Sequence, residues 1–147
     1  MTIRKRLYVK LMPEKILVDL NVILDVLLER NGFIASRKIL ELSERNSNEL
    51  YISAHLVTTF AYLLESSNIP RTQIRIHIKW LIETFNIVTV DNIILKNALK
   101  SRIKDYEDAV IEQTAILCSA TTIITRNVKD FSSSTVPALL PEKYLTS

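Results

Sequence analysis

Glycine, cysteine and histidine are nearly missing from this 147-residue sequence, which contains one, one and two of them respectively. The single glycine, Gly32, excludes the phosphate cradles of the P-loop and dinucleotide-binding types, because those need several glycines in one loop. The lone Cys118 cannot form an internal disulfide, which points to a reducing compartment and a cytoplasmic location. It lies in an apolar helical stretch and reads as core filler rather than as a nucleophile. No Cys/His cluster has zinc spacing, and neither His55 nor His77 has a serine, cysteine or second histidine at a telling distance. No apolar run reaches the ~18 residues of a membrane span, so no membrane partner is expected. No apolar signal core follows the basic N-terminus.

What is present is ordinary for a folded domain. Apolar residues make up 48% and charged residues 24%, and the length suits one domain with a proper core. Residues 1–14 read as a basic, poorly ordered arm and residues 15–147 as one domain. Met12 stands just before the first strand signal, so the first eleven residues are either an arm or an upstream extension. The formal net charge of +3 is compatible with an anionic partner such as nucleic acid and too small to demonstrate one.

The sequence is organised around Ile16-Leu17-Val18-Asp19-Leu20-Asn21. A short apolar, β-branched run reads as a buried strand and stops at a carboxylate. Helical spacing of Val22, Ile23, Val26 and Leu27 follows at once and predicts a helix over Asn21–Arg30. An acid at that junction lies on the carboxyl edge of a sheet, where open α/β folds bind ligands. The alternative is that Asp19 only caps the helix.

Further along, helices are predicted over Phe33–Asn46, from Ser53 to Ser66, over Arg71–Phe85, from Asp91 to Lys100 and over Tyr106–Ala120. Strands are predicted at Leu50–Ile52, Ile87–Val90 and Thr122–Thr125. Leu139-Leu140 reads as a short fifth strand or a packing patch, and Pro141–Leu145 as a last helical turn. The inward faces are expected to carry Ile34, Ile39 and Leu40, then Leu56, Val57, Phe60, Leu63 and Leu64, then Ile74, Ile78, Leu81 and Ile82. Alternating strands and helices imply an α/β fold, a three-layer α/β/α sandwich with a central parallel sheet of four to five strands.

If the first and fourth strands are neighbours, three separated features meet on one edge. They are Asp19, Asp108 at the start of a helix, and Asn127 with Asp130 after the fourth strand. Packed carboxylates repel unless a charge offsets them. Magnesium and manganese do this with oxygen ligands and retained waters. Such an ion suits phosphodiester hydrolysis, with Arg126 beside the acids to hold a substrate phosphate. Asn21 is grouped with Arg126 as substrate-binding. Asp25 and Glu29 read as solvated or paired with Arg30. Arg71, Arg75 and Lys79 form one basic stripe, and Lys96, Lys100, Arg102 and Lys104 a second basic cluster. Either is a solvated face or a track for a phosphate backbone. Trp80 and Tyr62 read as core or interface residues.

Taken together, Val18–Asp25, Tyr51-Ile52-Ser53, Asp105–Val110 and Ile124–Phe131 resemble the PIN domain family, and in particular its small bacterial members, among them the ribonuclease toxins of VapBC-type pairs. The resemblance implies a Mg2+- or Mn2+-dependent endoribonuclease acting on RNA. Its metal ligands would be Asp19, Asp108 and Asp130, with Asp105 as an auxiliary acid, and Asn127 would complete the catalytic set. It further implies a cognate antitoxin and a homodimer. Two positions depart from the family pattern. Leu20 replaces a usual hydroxyl, and Thr59 stands where members carry an acid on the helix after the second strand. A PIN-like domain that binds RNA or protein without cleavage is the alternative. A receiver-domain reading fares worse, because no convincing strand-borne lysine follows late in the chain.

Overall fold

The computed structural model describes residues 2–4, 13–44 and 48–147. The basic arm read at residues 1–14 lies outside them, apart from residues 2–4, 13 and 14. The expected end of the second helix, at Asn46 and Ser47, lies outside them too.

Five strands form one parallel sheet in the order β3-β2-β1-β4-β5. They are β1 (Glu14–Val18), β2 (Asn48–Ser53), β3 (Asn86–Val88), β4 (Thr122–Ile124) and β5 (Ala138–Leu139). Among the described residues, seven helices of the α type connect or follow them: α1 (Leu20–Leu27), α2 (Phe33–Glu41), α3 (Ala54–Ser66), α4 (Arg71–Thr84), α5 (Asn92–Ala98), α6 (Tyr106–Leu117) and α7 (Pro141–Leu145). Right-handed crossovers place the helices leading from β1 to β3 on one face and those leading from β3 to β4 on the other. In keeping with that, α1 packs on α2, α3 on α4 and α5 on α6, while α7 returns to α2. The expected α/β/α sandwich is the observed architecture.

A parallel sheet covered on both faces has apolar strands rather than alternating ones. Ile16, Leu17, Val18, Ile52, Ile123 and Ile124 are fully buried. Leu56, Phe60 and Leu64 recur at helical spacing on α3 and seal the sheet from one side, as expected. Asp91 caps α5 by accepting the Ile94 N–H at 3.0 Å. Among the described residues no helix is long and apolar enough to cross a membrane.

Several local expectations are corrected. The third strand begins at Asn86 and ends at Val88, because Ser53, the last residue of β2, already pairs with Val88. Ile34 and Ile82 are exposed rather than inward-facing. On α4, Ile74, Ile78 and Leu81 fill the ~100° stripe that a helix can bury, and Ile82 falls on its margin. Trp80 and Tyr62 are not core residues: they are 38% and 67% exposed. Ser53 is the N-cap residue of α3, but its hydroxyl lies 2.6 Å from His55 Nδ1 instead of capping the helix.

The connectivity makes one place special. From β1 the chain leaves towards β2, and from β4 it leaves towards β5 on the opposite side. The crevice beyond the carboxyl ends of β1 and β4 is therefore the topological switch point of the sheet.

Candidate active site

Asp19 closes β1 at that switch point. Its backbone N–H continues the pairing with β4 by donating to Ile124 O at 2.9 Å. The side chain is held on three sides. Oδ1 accepts the Leu20 N–H at 2.7 Å, which makes Asp19 the N-cap of α1. Oδ2 accepts from the Thr125 hydroxyl at 2.8 Å and from Asn21 Nδ2 at 3.2 Å. One oxygen thus serves the helix as its cap, while the other is engaged by Thr125 and Asn21. Burial raises the Asp19 carboxyl above its ordinary range, against the lowering effect of the three hydrogen bonds, and repulsion from Asp130 adds to the rise.

Asp108 enters from the first turn of α6. Asp105 caps that helix by accepting the Asp108 N–H at 3.0 Å. Burial first, and then the charges of Asp105, Asp19, Asp130 and Glu107, push the Asp108 carboxyl up to about 7. Glu107 is raised by burial and by Asp19 and Asp105. Asp130 lies in a 3-10 turn over Val128–Phe131, where its N–H donates to Asn127 O at 3.0 Å. Asn127 and Asp130 are both exposed. The fold therefore brings Asp19, Asp105, Asp108 and Asp130 within electrostatic reach of one another.

Asp105, Asp108 and Asp130 line a cleft of about 560 Å³, which Arg102, Lys104 and Lys129 also line. Among the described residues no group of three Asp, Glu, His or Cys side chains is gathered tightly enough to hold a metal ion unaided. The donor set nevertheless suits a hard cation. Its acids offer only oxygens, and the neighbouring carboxylates add to the effect of burial in raising Asp19 and Asp108. An ion here would be held by few side chains and by water, the usual habit of Mg2+.

Arg126 is placed differently from expectation. Its guanidinium pairs with Asp25 through Nε at 2.7 Å and with both oxygens of Glu142 through Nη1 at 2.7 Å. Nη2 donates to Gly32 O at 2.8 Å and to Ser36 Oγ at 2.9 Å. None of these partners is a cleft acid. The expected solvation of Asp25, or its pairing with Arg30, is corrected too: Asp25 is 5% exposed and bound to Arg126. Asn21 accepts the Arg126 backbone N–H at 3.2 Å while donating to Asp19. Its amide is thereby occupied inside the fold. Thr59 Oγ1 donates to His55 O at 3.3 Å, within its own helix, and Leu20 is buried.

Three residues were not singled out from the sequence. Thr125 is fully buried; it donates to Asp19 and accepts the Asn127 N–H at 3.0 Å, so it links β1 to the turn that carries Asp130. Its place at the end of an apolar strand opposite Asp19 was the available signal. Glu107, beside Asp108, is drawn into the acidic group. Glu112, buried on α6, gave no sequence signal beyond being an acid in an apolar helix. It accepts from Ser101 Oγ at 2.8 Å and from the Thr135 N–H at 2.9 Å.

A family model described as the PIN domain matches residues 15–129. The chain belongs to the PIN domain family. Solved structures agree with this PIN fold. A toxin–antitoxin complex from Klebsiella pneumoniae contains a chain 24% identical to this one, with a TM-score of 0.63, covering 85% of this chain and 96% of that one. VapBC2 from Rickettsia felis, bound to a DNA fragment from its promoter, matches at 17% identity and a TM-score of 0.69, covering 86% and 98%. VapBC-1 from nontypeable Haemophilus influenzae matches at 21% identity and a TM-score of 0.61, covering 87% and 98%. No curated protein matches the sequence.

Proposed function

We propose that this PIN domain protein is a divalent-cation-dependent endoribonuclease and the toxin half of a toxin–antitoxin pair, working in the cytoplasm as one domain over residues 15–147. The observation that carries the reading is the uncompensated acidic group at the switch point, where four neighbouring carboxylates and burial lift Asp108 to about 7. A fold does not collect such repulsion for stability. PIN domains are generally nucleases, which fits the group.

Asp19, Asp108 and Asp130 would hold Mg2+ or Mn2+, with Asp105 as the outer acid. When bound, the ion would supply Lewis-acid activation of water and neutralise charge on the phosphodiester. The chain's own residues prepare that place. Thr125, Asn21 and the Leu20 N–H fix the carboxylate of Asp19 in one orientation. Asp105 holds the first turn of α6 and with it Asp108. The 3-10 turn sets Asn127 and Asp130 where they can orient an attacking water or the scissile phosphate.

The solved neighbours named as toxin–antitoxin complexes support an antitoxin as partner. A second apolar cleft of about 420 Å³, lined by Ile23, Val26, Leu27, Ile76 and Trp80, offers apolar surface for that protein or for a second copy in a homodimer.

Titrating the purified chain with Mn2+ in a calorimeter, then incubating it with structured RNA, tests the reading. Saturable binding and cleavage that a chelator stops are expected. Asp130→Asn, at an exposed acid, should lose cleavage at an unchanged melting temperature. A parent protein that binds no ion and cuts no RNA overturns the enzyme. That result would favour a PIN domain that binds without cutting, the reading supported by Thr59, whose hydroxyl donates within its own helix.

A further inference from the structure

With Arg126 enclosed, the substrate phosphates need another seat. We propose that Arg102, Lys104 and Lys129 form it, gripping the phosphate backbone of RNA beside the acids of the cleft; this rests on the nuclease reading above.

A polyanion approaching three carboxylates is repelled unless cations flank them. Arg102 and Lys104 lie on the loop between α5 and α6, immediately before Asp105, and Lys129 lies in the turn that carries Asp130. All three are exposed and line the same cleft as Asp105, Asp108 and Asp130. Among the described residues none of the three makes an ion pair, although carboxylates share their cleft. A cation that stays unpaired beside acids remains available to a ligand. On the α4 stripe Lys79 is paired with Glu83 at 3.6 Å, while Arg71 and Arg75 line a different cleft, away from Asp105, Asp108 and Asp130; place, rather than charge, is what sets the rim apart.

The two banks of the cleft are also held in register from inside. Buried Glu112 binds Ser101 on the bank that carries Arg102 and Lys104. Its other oxygen accepts from Thr135, in the loop that contains the cleft residues Ser132 and Ser133. Ser101 Oγ in turn accepts the Ile103 N–H at 3.1 Å. The basic groups thus stand on a braced loop rather than on a loose one, which lowers the ordering cost of binding a flexible strand.

The test uses the full chain carrying Asp108→Asn, so that binding is read without cleavage, and a single-stranded oligoribonucleotide titrated over a series of salt concentrations. Arg102→Gln, Lys104→Gln and Lys129→Gln, each added singly, should weaken binding and lower the slope of log affinity against log salt by about 0.7 per lost phosphate contact. Arg71→Gln with Arg75→Gln on α4 should leave the slope unchanged. In the otherwise native chain the same rim substitutions should raise KM more than they lower kcat. Slopes that fall with the α4 pair and not with the rim overturn the seat, as does an absence of RNA binding by the parent. If the rim controls the slope but no condition yields cleavage, the seat stands and the nuclease reading falls. If cleavage occurs and the rim leaves slope and KM alone, only the seat falls.

Discussion

Two charged clusters lie at the carboxyl end of β4, and they are opposites. Around Arg126, one guanidinium meets Asp25, Glu142, Ser36 and a carbonyl, so each buried charge has an ordered partner. Around Asp108, carboxylates face one another without an ion pair among the described residues, although Arg102, Lys104 and Lys129 line the same cleft, and Asp108 rises to about 7. Asn21 touches both, donating to Asp19 and accepting from the Arg126 backbone. A compensated cluster ties secondary elements together. An uncompensated one raises the proton affinity of its members and marks a candidate functional site.

The contrast breaks most severely at Arg126. Arg126→Ala leaves Asp25 buried and unpaired and should cost about 3–5 kcal/mol in urea denaturation. Gly32→Ala should cost about 1–2 kcal/mol for the left-handed backbone, where Gly32 has φ +85°. It should lose more on top, since the new Cβ would stand 2.7 Å from Arg126 Nη2. On the acidic side the sign reverses: Asp108→Asn should raise the melting temperature of the chelator-treated protein while abolishing cleavage. The pH dependence sharpens this. Asp108 is protonated more readily in the folded chain than in the unfolded one, so the folded state binds more protons between about pH 4 and its folded value of about 7. The stability linked to this group is complete below that window and is lost as the pH rises through it. Asp108→Asn should flatten the loss and Mg2+ should offset it, both read from melts across pH. The smallest effect is expected for Glu142→Gln, whose half-exposed ion pair should contribute about 0–1 kcal/mol.

Much of the fold was legible because its signals are local. Ile16–Val18 and Thr122–Ile124 are apolar and β-branched, Asp91 and Asp105 stand one residue before their helices, and the alternation of elements implies parallel pairing. Three acids of the candidate site were legible for the same reason: Asp19 follows a strand, and Asp105 and Asp108 lie in the cap and first turn of a helix. Arg126 misled because its neighbours in sequence are site residues, whereas its side chain reaches Asp25, 101 residues away. Ile82 misled because a helical apolar stripe has a limited width, and a residue at its margin has no periodic mark.

By itself, then, the sequence determined which segments become strands and helices and that Asp19, Asp105 and Asp108 sit at the ends of elements, since periodicity and capping act over a few residues. Only the tertiary structure decided that β1 and β4 lie side by side, that Thr125 orients Asp19, and that Arg126 is enclosed while Arg102, Lys104 and Lys129 stay free of ion pairs. Those outcomes depend on strand order and on which distant charges meet, and neither leaves a short-range trace in the chain.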